Sequence, residues 1–287
     1  MKLAPWALLA VAASWGLAFV VMKDPIEKQS VNSFLFTRFA VAVIVMAALQ
    51  PRVFAKFNRE IVSKGFLAGL FLGSGYIFQT LGLKVAGAAI TGFVTGLYVV
   101  ATPLIAWIVL RHRINAYTWG CVVLATIGLG LLSLHGWSVG YGELLVLISA
   151  IAFGAHIVAL GHWSNGLDSY AMTIIQLATC ALLTGVISLG QGYSAPVDTS
   201  GWLVVFYTAI MCTAVAFVVQ TWSQAHMTPT KVAVILTMEV VFAAFFALLF
   251  GGESLTLQAF FGGILVVIAM FAIVIKGEES VESTHGN

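Results

Sequence analysis

Ten stretches of roughly 20 apolar residues follow one another along this 287-residue chain with little between them. They cover 4–22, 31–49, 64–83, 86–110 and 116–134, then 142–161, 169–190, 201–225, 229–250 and 257–275. A helix of that length crosses the ~30 Å hydrocarbon core of a bilayer. In lipid each backbone N–H and C=O must find its partner inside the protein, so such runs fold as a bundle of spanning helices. The expected fold class is an all-α membrane protein with ten transmembrane helices, its partner the lipid bilayer.

Composition excludes the alternatives. Residues of the AVILMFWYC set make up 61% of the chain and charged residues only 8%, against about 25% charged in a soluble domain. A cytosolic enzyme, an extracellular disulfide module and a disordered chain are all excluded. The net charge of +2 leaves no basic surface for nucleic acid. Cys121, Cys180 and Cys212 each lie in an apolar run, and an odd count without paired spacing argues against a disulfide framework or a metal site. The first run is also longer than the 7–15 residues of a secretory h-region, and it reads as a span.

Lysine and arginine placement sets the orientation. With both termini cytoplasmic, the inner side holds Lys2, Arg52, Lys56, Arg59, Lys64, Arg111, Arg113, Lys231 and Lys276. The outer loops hold Lys23, Lys28 and Lys84, and Arg38 falls inside a span. The chain is expected to be multi-pass in an inner or plasma membrane.

Ten spans divide into five and five, and traces of duplication remain. A shift of 138 residues lays Leu9, Ala12, Gly16 and Val20 on Leu147, Ala150, Gly154 and Val158. A shift of 141 lays Gln79-Thr80 on Gln220-Thr221 and Val99-Val100 on Val240-Val241. Five spans per repeat make the second half enter from the opposite side, the inverted arrangement of secondary transporters, whose site lies where the halves meet. The expected units are a first five-helix repeat at 1–138, a second at 139–276 and a disordered cytoplasmic tail at 277–287.

Several stretches carry a family resemblance. They are Ser14-Trp15-Gly16, Phe36-Thr37-Arg38-Phe39 and Thr95-Gly96-Leu97-Tyr98-Val99-Val100-Ala101-Thr102-Pro103-Leu104 in the first half. The second half has Pro229-Thr230-Lys231-Val232-Ala233, Met238-Glu239-Val240-Val241-Phe242-Ala243-Ala244 and Gly252-Glu253-Ser254-Leu255-Thr256. Over essentially its whole length the chain resembles the EamA-type members of the drug/metabolite transporter superfamily. The resemblance implies ten helices in two inverted repeats around a central cavity, moving small metabolites, often outward. One departure is Val240, where the family often has proline after the span-9 glutamate.

Two strong charges sit deep within spans, Arg38 and Glu239. A charge at the bilayer centre costs at least ~2.5–3.5 kcal/mol, so both should face the protein interior. They either pair with each other or hold opposite ends of one small ligand. In span 4, Thr91, Thr95, Tyr98 and Thr102 share one helical face, and the 141 shift lays Tyr98 on Glu239. Gly92 and Gly96, like Gly65, Gly69 and Gly73 in span 3, suit close helix packing. Span 7 carries Thr173, Gln176, Cys180 and Thr184 on one face, with Gln176 falling on Arg38 under the 138 shift. Gln79 and Gln220 form a pair placed nearer the membrane edges. His156 lies in span 6, and Trp15 beside Gly16 could wall a cavity. Trp6, Trp107, Trp119, Trp163 and Trp202 read as interfacial anchors.

The candidate substrate-binding set is therefore Trp15, Arg38, Gln79, Thr95, Tyr98, His156, Gln176 and Glu239. No nucleotide loop, zinc motif or nucleophile elbow occurs, so neither ATP drive nor catalysis is encoded at recognisable spacing. The expectation is a monomeric secondary transporter without cofactor, exporting a small polar or zwitterionic metabolite such as an amino acid, with Arg38 facing an anionic group and Glu239 either a cationic group or a coupling proton. Broad multidrug efflux, a passive facilitator and a membrane enzyme are the rival classes.

Overall fold

A computed structural model of the protein describes residues 3–86, 88–111, 114–133, 140–250 and 256–282. Among these residues the secondary structure is entirely helical. The first half holds α1 (Ala4–Val21), α2 (Lys23–Lys28), α3 (Val31–Leu49), α4 (Arg59–Ala86), α5 (Ala88–Gly96), α6 (Tyr98–Leu110) and α7 (Ala116–Ser133). The second holds α8 (Tyr141–Trp163), α9 (Ser169–Gln191), α10 (Thr199–Ala209), α11 (Ala216–Gln224), α12 (Pro229–Leu236), α13 (Met238–Phe250) and α14 (Leu257–Glu282). A π-helical turn, Ile210–Val215, joins α10 to α11 without a break in direction of the span.

Among the described residues, seven helical stretches are long and apolar enough to cross a membrane, while Val94–Leu110, Ala116–Leu131 and Phe260–Ile273 are shorter. This is a multi-pass membrane protein. Polar residues start its helices where the chain turns back. Asp168 accepts from the Ala171 amide at the start of α9, and Asp198 accepts from the Gly201 amide at the start of α10. Asn58 and Asn115 do the same for α4 and α7. Each oxygen satisfies an N–H that the helix itself leaves unpaired.

Several boundaries differ from expectation. Helix α4 begins at Arg59 rather than at residue 64. Span 4 is interrupted at Leu97 and span 9 at Thr237. In both, a tight turn replaces the α ladder: the Val100 amide donates to Leu97 O and the Val240 amide to Thr237 O. Span 9 thus breaks two residues before Glu239 although Val240 stands in place of proline. The last helix continues through Glu282 into the stretch expected to be a disordered tail. Residues 283–287, and all of the Gly252–Thr256 motif except Thr256, lie outside the described residues.

The buried apolar residues form two clusters, and each draws on both halves of the chain. One joins Leu8 and Ala12 of α1, Val99 of α6 and Leu129 of α7 to Val232 through Leu236 of α12 and Val266 of α14. The other joins Phe34 and Phe39 of α3 and Leu72 of α4 to Met172 and Leu177 of α9 and Phe217 of α11. The halves interleave, so neither has a core of its own. Glycines set the closest approaches, as expected for small-residue packing. A Cβ on Gly69 would stand 2.6 Å from Thr179 Cβ, and one on Gly65 2.9 Å from Ile175 Cβ, both across the α4–α9 contact.

Polar contacts tie the helix ends. Lys28 bridges Asp24 and Asp198, and Lys56 pairs with Asp168. Tyr117 donates to Ala272 O and Tyr170 to Met46 O. Of the expected interfacial tryptophans, Trp6, Trp107 and Trp202 are exposed. Trp119 and Trp163 are instead half-buried against the two cores.

Candidate functional site

A cavity of about 60 Å³ lies inside the bundle between α1, α3, α4, α8 and α11 and the interruptions of spans 4 and 9. Trp15, Tyr76, Tyr98, Phe153 and Phe217 supply aromatic walls, and Arg38, Gln79, Thr95, His156, Gln220 and Glu239 supply polar groups. Of the eight residues expected to bind substrate, seven line this one space. Gln176 does not. It is fully buried behind the wall, where its side chain joins His156.

Arg38, 2% exposed, is held from both halves of the protein. Its Nε donates to Thr213 Oγ1 at 2.7 Å and its Nη2 to the Cys212 carbonyl at 3.2 Å and the Tyr76 hydroxyl at 3.4 Å. The guanidinium also lies 5.0 Å from the Tyr76 ring centroid, within cation–π range. The Cys212 carbonyl accepts a second bond, 2.7 Å, from Trp15 Nε1. Thr213 and Cys212 both belong to the π turn.

Glu239 lines the same cavity. Among the described residues neither an ion pair nor a hydrogen bond holds its carboxyl, although the residue is only 9% exposed. In this structure Arg38 and Glu239 do not form an ion pair. Tyr98, one residue past its helix break as Glu239 is two past its own, has a buried hydroxyl without a partner, and so does Gln220 Oε1. Such orphans are rare in a finished core, because each costs about 1–3 kcal/mol.

Gln176 fixes its neighbour's chemistry. Its Nε2 donates to Met172 O and Thr221 Oγ1, which assigns Oε1 to His156 Nε2 at 2.8 Å. An amide oxygen can only accept, so His156 carries its proton on Nε2 and presents Nδ1 as an acceptor. Gln79 donates to Thr95 Oγ1 at 3.2 Å. Gln79 and Gln220, expected nearer the membrane edges, both reach the central cavity because α4 and α11 each turn that face inward.

The duplication is visible in the walls. Trp15 and Phe153, Tyr98 and Glu239, and Gln79 and Gln220 are pairs related by the 138- and 141-residue shifts, and every member lines the cavity. Sequence reasoning missed Tyr76, Phe153 and Phe217. A signal existed: each stands three residues before a polar lining residue, Gln79, His156 or Gln220, and so shares its helical face.

A multi-pass helical membrane protein with a polar-studded cavity where two related halves meet belongs structurally to the transporters. The particular family is then clear. The chain belongs to the EamA-like transporter family, whose model matches it twice, over residues 2–134 and 140–275. It is 31% identical over 271 residues to an uncharacterized transporter of Archaeoglobus fulgidus, covering 94% of this chain and 85% of that one. It is 23% identical to the uncharacterized transporter YoaV of Bacillus subtilis, covering 92% and 94% of the two chains. A crystal structure of a protein 16% identical in sequence superposes with a TM-score of 0.75 over 96% of this chain and 97% of that one. At that identity the match speaks for the fold alone.

Proposed function

We propose that this protein is a secondary transporter of an inner or plasma membrane, exporting small polar or zwitterionic metabolites, amino acids foremost, by alternating access. The observation that carries the reading is one buried cavity with an unpaired carboxyl, Glu239, facing an arginine whose donors are not all taken. An anionic group belongs at Arg38. A cationic group, or a coupling proton, belongs at Glu239, with His156 Nδ1 and Gln220 Oε1 as further acceptors.

Counting spans 4 and 9 as interrupted helices and α10 through α11 as one gives ten spans in two inverted repeats. An even count puts both termini on one side of the membrane, and the lysine and arginine placement makes that side the cytoplasm. The end-to-end ion pairs support that count, since an even number of spans separates Lys28 from Asp198 and Lys56 from Asp168. Hydrogen bonds of Thr173, Gln176 and Gln224 join α8, α9 and α11 beside the cavity. A mostly apolar, aromatic lining favours broad efflux of amphipathic organic compounds as the second reading.

The test is flux into proteoliposomes, with and without a pH gradient, for a panel of amino acids and nucleosides. The expected result is saturable transport of one substrate class. Arg38→Ala should weaken it, and Glu239→Gln should remove the stimulation by the gradient. Flux that never saturates would mean a passive pore, and competition by lipophilic cations alone would select the second reading.

A further inference from the structure

The Thr213 hydroxyl is committed in two directions. It donates its one proton to the Thr208 carbonyl, five residues back, at 2.8 Å, and accepts from Arg38 Nε at 2.7 Å. In a regular helix a threonine hydroxyl bonds the carbonyl three or four residues back, as Thr37, Thr173 and Thr184 do here. The five-residue reach requires the wider π turn. With its proton used, the hydroxyl can only offer lone pairs to Arg38. The carbonyl of the preceding residue, Cys212, takes Arg38 Nη2 and Trp15 Nε1 together. π turns are costly local departures from the α-helix that gather at functional sites, and this one aims two acceptors at one guanidinium.

The consequence falls on the third nitrogen. Nε and Nη2 have oxygen partners, whereas Nη1 has only the Met22 thioether at 3.6 Å, a weak acceptor. Thr213 is fully buried and does not line the cavity, while Arg38 does. We propose that Thr213 and the Cys212 carbonyl are positioning groups that hold two edges of the Arg38 guanidinium, so that Nη1 is offered to the carboxylate of the substrate. The proposal rests on the transporter reading above and adds a residue that never touches substrate.

The experiment compares wild type with Thr213→Val, Thr213→Ala and Thr213→Ser in proteoliposomes. The probes are each amino acid that wild type carries and its methyl ester, in which the carboxylate is masked. Losing a hydrogen bond to a charged group should raise KM for the free amino acid roughly tenfold, with kcat within about twofold. Serine should restore it, and the ester should not distinguish the variants. A second readout needs no substrate: in protein labelled with ¹⁵N-arginine, the Arg38 Nε–H resonance should shift in Thr213→Val and Thr213→Ala and stay in place in Thr213→Ser. An unchanged KM, an equal rise for the ester, or an unmoved Nε–H resonance overturns the proposal. If wild type carries no amino acid, the amino-acid reading fails separately, and the Nε–H resonance alone decides whether Thr213 positions Arg38.

Discussion

Gly16 and Phe242 meet backbone to backbone. A Cβ on Gly16 would stand 2.6 Å from Phe242 Cβ and 2.7 Å from the Ala243 nitrogen. Gly154 repeats the contact against Ala101 Cβ at 3.0 Å and the Thr102 nitrogen at 3.2 Å. The 138 shift carries Gly16 to Gly154, and the 141 shift carries Ala101 to Phe242. One crossing thus occurs twice, each time joining a helix of one half to a helix of the other. These crossings bring Trp15 and Phe153 to the cavity beside the breaks that carry Tyr98 and Glu239.

Filling the first crossing should cost stability. Gly16→Val has no room at the α1–α13 contact, and overpacking of this kind costs about 1–3 kcal/mol. Gly120→Ala is the control, since a Cβ there meets nothing within 4 Å. Thermal unfolding in detergent should fall by several degrees for Gly16→Val and stay unchanged, or rise slightly, for Gly120→Ala.

Tyr98→Phe separates a structural from a functional role. The hydroxyl has no partner to lose, so its removal should leave thermal stability equal to wild type or higher by up to about 1 kcal/mol. Transport KM should nonetheless change. A less stable variant would show that the hydroxyl has a partner in the folded protein.

Arg38→Lys keeps the charge but not the fork. One ammonium cannot span Thr213 Oγ1, the Cys212 carbonyl and the Tyr76 hydroxyl as the guanidinium does. At about 1.5–3 kcal/mol for a hydrogen bond to a charged group, the variant should lose about 2 kcal/mol or more. Its unfolding midpoint, set beside that of wild type, measures this directly.

Asp168 gives the stability its acid limb. Partial burial pushes the carboxyl up, but Lys56 and the Ala171 amide outweigh that and hold it below its ordinary value. A group depressed in the folded state stabilises above its unfolded value of roughly 3.9, and the gain disappears as pH falls through the folded value. Asp168→Asn keeps an oxygen for the cap and loses the charge. The gap in melting temperature between wild type and this variant should be full at pH 7 and close progressively below about pH 4. A gap that stays constant down to pH 3 would contradict the assignment.

The membrane helices and much of the site were legible in the sequence because lipid imposes simple rules. Length and apolarity mark a span, and an ionisable side chain within one has to find the protein interior. Those rules brought Arg38, Tyr98, His156 and Glu239 to one cavity without any knowledge of helix packing. They misplaced Gln176, since face periodicity shows that a side chain points inward but not whether a neighbour, here His156, intercepts it. They gave Gln79 and Gln220 only a depth along their spans, whereas that both line the cavity depends on how α4 and α11 are turned.

The amino-acid sequence by itself determined that this chain lies in a bilayer, that it is built from two related halves, and which polar residues are hidden from lipid. These follow from the cost of leaving apolar surface in water or charge in hydrocarbon, a cost each segment bears alone. Only the tertiary structure decided the π turn at Ile210–Val215, the interruptions at Leu97 and Thr237, and the separation of Arg38 from Glu239. Each depends on groups far apart in the chain. The Cys212 carbonyl accepts from Trp15 and Arg38, on two other helices, and no local pattern encodes which distant donors will arrive.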